Sequence, residues 1–279
     1  MIKTIDITAG ETKNLYQYLS AAVTPRPIAF VSTIDSKGNK NLSPFSFFNV
    51  FSINPPILVF SPVRRVRNNT SKHTLDNVLQ VKECVIALVT EEIVQQVSLS
   101  SCDFDAKINE FEKAGFTELK SDLVKPARVK QSPINFECKI NDIINLGEDG
   151  GAGSLVICEI LKMHINEEVL NQNKEIDPIK LNIVSRLGAN WYGKTTHESI
   201  YKITKPISRI GMGIDNLPVE IRTSEILTGN ELAILASAEE IPLKKEFTHR
   251  LKKNVTEKHI LAKEFLSQGE IENAWQILL

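Results

Sequence analysis

Pro25-Arg26-Pro27-Ile28-Ala29-Phe30-Val31-Ser32-Thr33 leads through Asp35-Ser36-Lys37-Gly38-Asn39 into Asn41-Leu42-Ser43-Pro44-Phe45-Ser46-Phe47-Phe48-Asn49-Val50-Phe51-Ser52, and then into Pro55-Pro56-Ile57-Leu58-Val59-Phe60-Ser61. Three β-type runs separated by turn residues predict three consecutive antiparallel strands. Gly38 supplies the freedom that the first turn needs. Alternation along the second run places Phe45, Phe47, Asn49 and Phe51 on one face, and Ser46, Phe48 and Ser52 on the other. Phe45 and Phe51 are expected in the core, whereas Phe47 and Phe48 are divided between core packing and a ligand surface.

The segment after the third run is basic and rich in hydroxyls: Arg64, Arg65, Arg67 and Lys72 among Asn68, Asn69, Thr70, Ser71 and Thr74. Taken alone it reads as a solvated loop. Following directly on the strand block, and leading into a helix, it reads as an anion site, because phosphate favours charge-assisted donors and a helix N-terminus. Ser71 or Thr74 is the expected cap of that helix, which carries Leu75, Val78 and Leu79. Apolar slabs, hydroxyls and adjacent cations suit a flat, phosphorylated heterocycle.

Outward from this block, residues 11–22 form a helical stripe through Leu15, Tyr16 and Leu19, stopped by Pro25 and Pro27. Cys84-Val85-Ile86-Ala87-Leu88-Val89-Thr90 is a continuous apolar run, expected as a strand buried on both faces, with a helix following through Ile93, Val94 and Val97. Residues 102–128 are polar with scattered phenylalanines and predict a mostly surface excursion with a short helix. Residues 134–146 and 154–165 predict a long hairpin. Its turn holds four glycines but also Glu148 and Asp149, which would repel phosphate, so it is a turn and not a phosphate cradle. From about residue 206 the chain turns helical, with Thr228 and Thr256 as expected caps. The expected organisation is a β-rich domain over residues 1–205 and a helical extension, residues 206–279, packed on it.

The chain has 279 residues, 42% hydrophobic and 24% charged, with a net charge of −1. That composition fits a soluble globular protein and provides no global field for nucleic acid or an anionic membrane. No secretory leader or membrane-spanning run is legible, and the four dispersed cysteines read as free thiols, so a reducing cytoplasm is expected. The five histidines lack metal-ligand spacing and no metal site is expected. Gly211-Met212-Gly213-Ile214-Asp215-Asn216 has Asn216 where a dinucleotide fingerprint needs glycine, and reads as a turn. No nucleophile motif is legible, so no catalytic side chain is assigned.

Pro25-Arg26-Pro27 followed by Ser43-Pro44-Phe45-Ser46-Phe47-Phe48-Asn49 resembles the hallmark of the flavin reductase-like, FMN-binding split-barrel family. The likeness continues through Arg186-Leu187-Gly188-Ala189-Asn190-Trp191-Tyr192, where Ala189 replaces a usual second glycine and leaves a positive φ there in question. The resemblance implies a mainly β (β+α) fold, an FMN-binding split β-barrel, here with a helical C-terminal extension. It implies FMN as cofactor, with Ser46, Phe47, Phe48, Asn49 and Ser52 lining the ring or ribityl chain and Arg26 and Pro27 close to the ring. Ser61, Arg64, Lys72 and Thr74 would lie on the phosphate side, and Tyr192 near the ring. His73 would donate to phosphate or cap the helix, and capping is the expectation.

The implied function is an FMN-dependent oxidoreductase that passes hydride from NAD(P)H, a transient donor, to bound FMN and on to an acceptor. The implied assembly is a homodimer. The alternative is a non-catalytic FMN-binding electron-transfer protein. An oligonucleotide-binding barrel stacking bases on its aromatics is a third reading, and near-neutral charge opposes it.

Overall fold

The structure, a computed structural model, describes residues 1–8, 15–203, 210–245 and 254–279. Two compact units are present, Met1–Tyr201 and Lys202–Leu279.

In the first unit, helix α1 (Leu15–Ala22) precedes four strands, β1 (Ala29–Ile34), β2 (Lys40–Phe45), β3 (Phe48–Ile53) and β4 (Pro56–Phe60). The remainder of the expected first helix, Glu11 to Asn14, lies outside the described residues. Next come α2 (His73–Gln80), β5 (Glu83–Leu88), α3 (Val94–Leu99), α4 (Glu110–Lys113) and the short pair β6 (Glu118–Leu119) and β7 (Arg128–Val129). The long hairpin is β8 (Ile134–Asn145) with β9 (Ser154–Ile165), followed by α5 (Pro178–Leu181), β10 (Val184–Gly188) and β11 (Trp191–Lys194).

The main sheet runs β2-β1-β5-β8-β9-β4-β3, with every neighbouring pair antiparallel. The expected single strand over residues 41–52 is therefore two, broken at Ser46 and Phe47, and its halves stand at opposite ends of the sheet. Phe45 and Phe48 are only three residues apart, so about 11 Å of chain at most separates the two edges. A seven-stranded sheet whose ends are that close, yet unpaired, is a barrel with an open seam. Pro44, which lacks an N–H for a ladder, is tolerated because β2 is an edge.

Ala29, Val31, Phe60, Cys84, Ile86, Cys138, Val156 and Cys158 form one buried cluster, to which α2 adds Leu75 and Val78. Leu79 of the expected stripe is exposed. On the other side of β1 and β5, Phe30 and Ala87 pack with Val97, Phe111 and Phe116. Two covered faces explain the unbroken apolar run through β5. Phe111 and Phe116 are buried, so residues 102–128 are not simply a surface excursion. Phe45 is in the core as expected, 5.3 Å from the Phe60 ring. Phe51 is 68% exposed, because a bulge between Val50 and Ser52 and the edge position of β3 leave it outside the barrel.

The second unit contains α6 (Val219–Arg222), α7 (Gly229–Ala236), α8 (Val255–Ser267) and α9 (Ile271–Leu278) around Leu217, Ile221, Leu235, Ala262, Trp275 and Ile277. Thr228 caps α7 with Glu231 as its partner. Asn254, not Thr256, caps α8: its Oδ1 accepts from Glu257 N–H while Glu257 accepts from Asn254 N–H, both at 2.9 Å. No described helix is long and apolar enough to cross a membrane.

Candidate functional site

Ser46 and Phe47 carry the chain across the barrel seam, and the Phe47 carbonyl accepts from Ser61 N–H at 2.8 Å, fixing the crossing to the end of β4. Phe47 is partly exposed, with Tyr16 of α1 6.5 Å away, centroid to centroid. The Arg26 guanidinium stands 5.8 Å from the Phe47 centroid. Arg26 is buried because it also closes α1: Nη1 donates to Ser20 O and to Val23 O, carbonyls at the electronegative end of that helix. Its Nε is buried and, among the described residues, has no partner. Burial pulls Arg26 below its ordinary pKa, with Tyr16 opposing and Arg186 adding. Arg26 therefore brings an unsatisfied donor to the seam. Pro27 and Phe48 are half-buried, Ser52 likewise, and Asn49 is exposed, with its Oδ1 accepting from Val50 N–H at 2.8 Å.

A small cleft follows along β2, lined by Asn41, Ser43, Arg65, Lys72, His73, Asp103 and others. Lys72 occupies the N-cap position of α2 without capping through its side chain. Among the described residues its ammonium makes no hydrogen bond or ion pair, and the N–H groups of His73 and Thr74 have no acceptor. Burial lowers the Lys72 pKa, and Arg65 and Arg67 lower it further against the pull of Asp103. A free ammonium beside first-turn N–H groups is an anion-binding arrangement.

Other expected phosphate residues stand differently. The Thr74 hydroxyl is buried and donates to Asn41 Oδ1 at 2.5 Å, and Asn41 in turn donates to the buried Glu110 at 3.0 Å. Thr74 thus offers its backbone N–H, not its side chain. Arg64 does not line the cleft; its Nε donates to Asn69 Oδ1 at 2.7 Å and its Nη2 to Asn69 O at 2.6 Å, shaping the 64–70 turn. Ser61 is half-buried at the end of β4, facing Gly153, where a Cβ would come within 2.6 Å of its Oγ. Neither Ser71 nor His73 caps α2; Ser71 instead donates to Asp76 Oδ1 at 2.6 Å.

The β10–β11 hairpin joins the seam through paired backbone bonds between Arg26 and Arg186, at 3.0 and 2.9 Å. The Arg186 guanidinium lies 4.4 Å from the Tyr192 centroid, and Tyr192 is exposed. Ala189 does adopt a positive φ, 43°, despite its Cβ.

Asp122, Glu137 and His164 are the one group among the described residues with metal-ligand proximity. Glu137 is already satisfied by the N–H groups of Asp122 and Leu123 and by His164, and Lys162 holds Asp122. These bonds tie the 121–123 loop to β8 and β9.

The flavin reductase like domain matches residues 21–180, which contain the seam, the cleft and every strand from β1 to β9. The chain belongs to the flavin reductase-like family. A flavin-dependent redox role is its coarse assignment. A family relative from Aquifex aeolicus, described only as an uncharacterized protein, is 36% identical over 196 residues, covering 70% of this chain and 96% of that one. Component B of nitrilotriacetate monooxygenase from Bacillus cereus superposes with a TM-score of 0.67 at 27% identity, over 73% of this chain and 99% of that chain. A flavin reductase with a split barrel domain from Shewanella frigidimarina, 24% identical with a TM-score of 0.61 over 71% of this chain and 96% of that one, shares the fold. The flavin reductase-like split barrel is thus shown.

Arg65, part of the basic segment that the sequence marks as an anion site, lines the cleft, together with Asn41, Ser43 and Asp103, which the sequence does not mark as ligand residues. Ser43 stands in the hallmark run and Asn41 in the β-type run just before it, so a signal exists for those two; Asp103 has none.

Proposed function

We propose that this protein is an FMN-dependent oxidoreductase, taking hydride from NAD(P)H and passing electrons to an acceptor, in a cytoplasmic setting. The observation that carries this reading is that one short stretch of chain serves two features: Asn41 and Ser43 of β2 line the cleft, and Phe47, four residues beyond Ser43, stands at the seam. The seam has a partly exposed aromatic beside a buried guanidinium (Phe47, Arg26), and the cleft has a free ammonium at a helix start (Lys72). The first suits a flat ring with carbonyl acceptors, and the second suits its phosphate. Pro27, Ser46, Phe48, Asn49 and Ser52 are the further ring or ribityl candidates, and Tyr192 stands on the neighbouring hairpin. Ser61 and Arg64 support the crossing and the 64–70 turn.

Bound flavin would supply the hydride chemistry. The protein's own residues would bind and orient it, with the Arg26 guanidinium beside Phe47 as a donor candidate. Thr74 and His73 offer main-chain N–H groups, and Lys72 offers charge. The absence of a Gly-rich dinucleotide fingerprint supports transient docking of nicotinamide on the flavin face.

We infer a homodimer as well. Val50, Phe51 and Ile53, 52, 68 and 82% exposed, lie on the β3 edge, and an apolar sheet edge of this kind calls for a covering partner. The helical second unit is proposed as an accessory to the barrel, since the Aquifex aeolicus relative is matched over almost its whole length by 70% of this chain.

The test is anaerobic mixing of FMN-loaded protein with NADH or NADPH. Bleaching of the flavin absorbance with either donor is expected. No bleaching with both would leave an electron carrier.

A further inference from the structure

The cleft beside Lys72 already contains an anion of the protein's own. Asp103, in the loop after α3, accepts from Arg65 Nε at 2.9 Å on Oδ1, with Arg65 Nη2 2.7 Å from the same oxygen, while Arg67 reaches its Oδ2. Arg65 is held in place from behind by the Thr70 hydroxyl at 3.1 Å and the Ser71 carbonyl, and its side chain is only 14% exposed. The other groups facing the cleft are Lys72, His73 and the carboxyl of Glu110, which is bound to Asn41 and to the N–H of Leu42. Of three nearby cations, two are thus turned toward one carboxylate.

We propose that Asp103 is a built-in counter-anion that competes with the flavin phosphate for Arg65 and Arg67, and so makes flavin an exchangeable ligand rather than a permanent one. The inference rests on reading this cleft as the phosphate site. A phosphate monoester brings between one and two negative charges at neutral pH, roughly −1.5 to −2. Entering beside Lys72, it meets the Asp103 carboxylate as a like charge and finds both guanidinium groups engaged. Only the ammonium and the α2 N–H groups remain to hold it. The protein is therefore expected to prefer FMN to riboflavin by a margin that rests on Lys72 and that Asp103 limits. The Asp103–Arg67 contact is largely solvated, which makes it easy to exchange.

The experiment is equilibrium titration of the full chain with FMN and with riboflavin, followed by quenching of flavin fluorescence, for the native protein, Asp103→Asn and Asp103→Ala. Both variants should bind FMN about tenfold more tightly, a change of about 1.4 kcal/mol. Riboflavin affinity should stay within about twofold, because Asp103 contacts only the arginines on the phosphate side; this ligand also reports that the variants are folded. Unchanged or weakened FMN binding in both variants, with riboflavin unaltered, would show that Asp103 orients the arginines instead of competing for them, and would overturn the proposal. Native protein that binds neither flavin would overturn the site assignment itself, and the proposal with it. The two failures are thus distinguishable.

Discussion

The carboxylate of Glu137, wholly withdrawn from solvent on β8, lies 2.7 Å from Nε2 of His164 on β9. Its oxygens also accept from Asp122 N–H at 2.9 Å and Leu123 N–H at 2.6 Å, so one side chain ties the 121–123 loop to the barrel wall. Burial opposes ionisation, yet the donors together outweigh it and hold Glu137 below the usual carboxylate range. A depressed folded pKa means stability that is present above the unfolded value, about 4.3, and lost as pH falls through the folded value. Glu137→Ala should cost about 3–5 kcal/mol by denaturant unfolding at neutral pH. Glu137→Gln should flatten the loss of stability below about pH 4.3, where the native protein weakens.

Lys72→Met should weaken FMN binding by about ten- to a hundredfold, through loss of a charge-assisted contact of about 1.5–3 kcal/mol. Riboflavin binding should be nearly unchanged. Because burial and the neighbouring arginines lower the Lys72 pKa, the FMN preference should fade on the alkaline side before a free lysine would titrate, about pH 10.4. Equal weakening of both ligands would remove Lys72 from the phosphate site.

Gly188 has φ +97°, and a Cβ there would stand 2.9 Å from Ala21 Cα, so α1 rests directly on β10. Gly188→Ala should destabilise by about 1–3 kcal/mol through backbone strain and displacement of α1. At the next position the sign reverses. Ala189 takes φ 43° with a side chain, and Ala189→Gly should stabilise slightly, by up to about 1 kcal/mol. Thermal melts of both variants give the comparison.

Sedimentation equilibrium tests the β3 edge. The native chain should sediment at twice its 31.2 kDa mass, and Phe51→Glu should shift it toward the monomer with the barrel still folded by circular dichroism. A native monomer would remove the dimer.

Thiol titration offers an independent check of the core. Cys84 and Cys138 face each other in register across β5 and β8, Cys158 is buried with them, and Cys102 alone is exposed. A maleimide should modify Cys102 in the native protein and all four thiols after denaturation.

Much of the barrel is legible in the chain because its strands sit in simple environments. The run through Val85, Ile86 and Ala87 is unbroken since both of its faces are covered, and the β8–β9 hairpin announces itself by its glycine turn. The seam at Ser46 and Phe47 is not legible in this way. Ser46 is a turn former but stands among three phenylalanines in a β-type run, and the break arises because a closing sheet must change edges there, a long-range requirement that one serine does not announce. Asn254 and Thr256 are both competent N-caps of α8, and Asn254 prevails because only it has Glu257 three residues on. Lys72 was legible as a cation near a helix start. That Arg65 faces the cleft while its neighbour Arg64 turns to Asn69 follows from side-chain direction, and Asp103 enters through an ion pair 38 residues removed from Arg65, which composition cannot reveal.

Titration of the untagged native protein with FMN, read by quenching of flavin fluorescence and repeated with riboflavin, tests most directly whether the seam and the cleft form one flavin site. Saturable quenching by FMN, with riboflavin binding more weakly, is the predicted result. Flavin fluorescence that stays unquenched across the whole titration would contradict it.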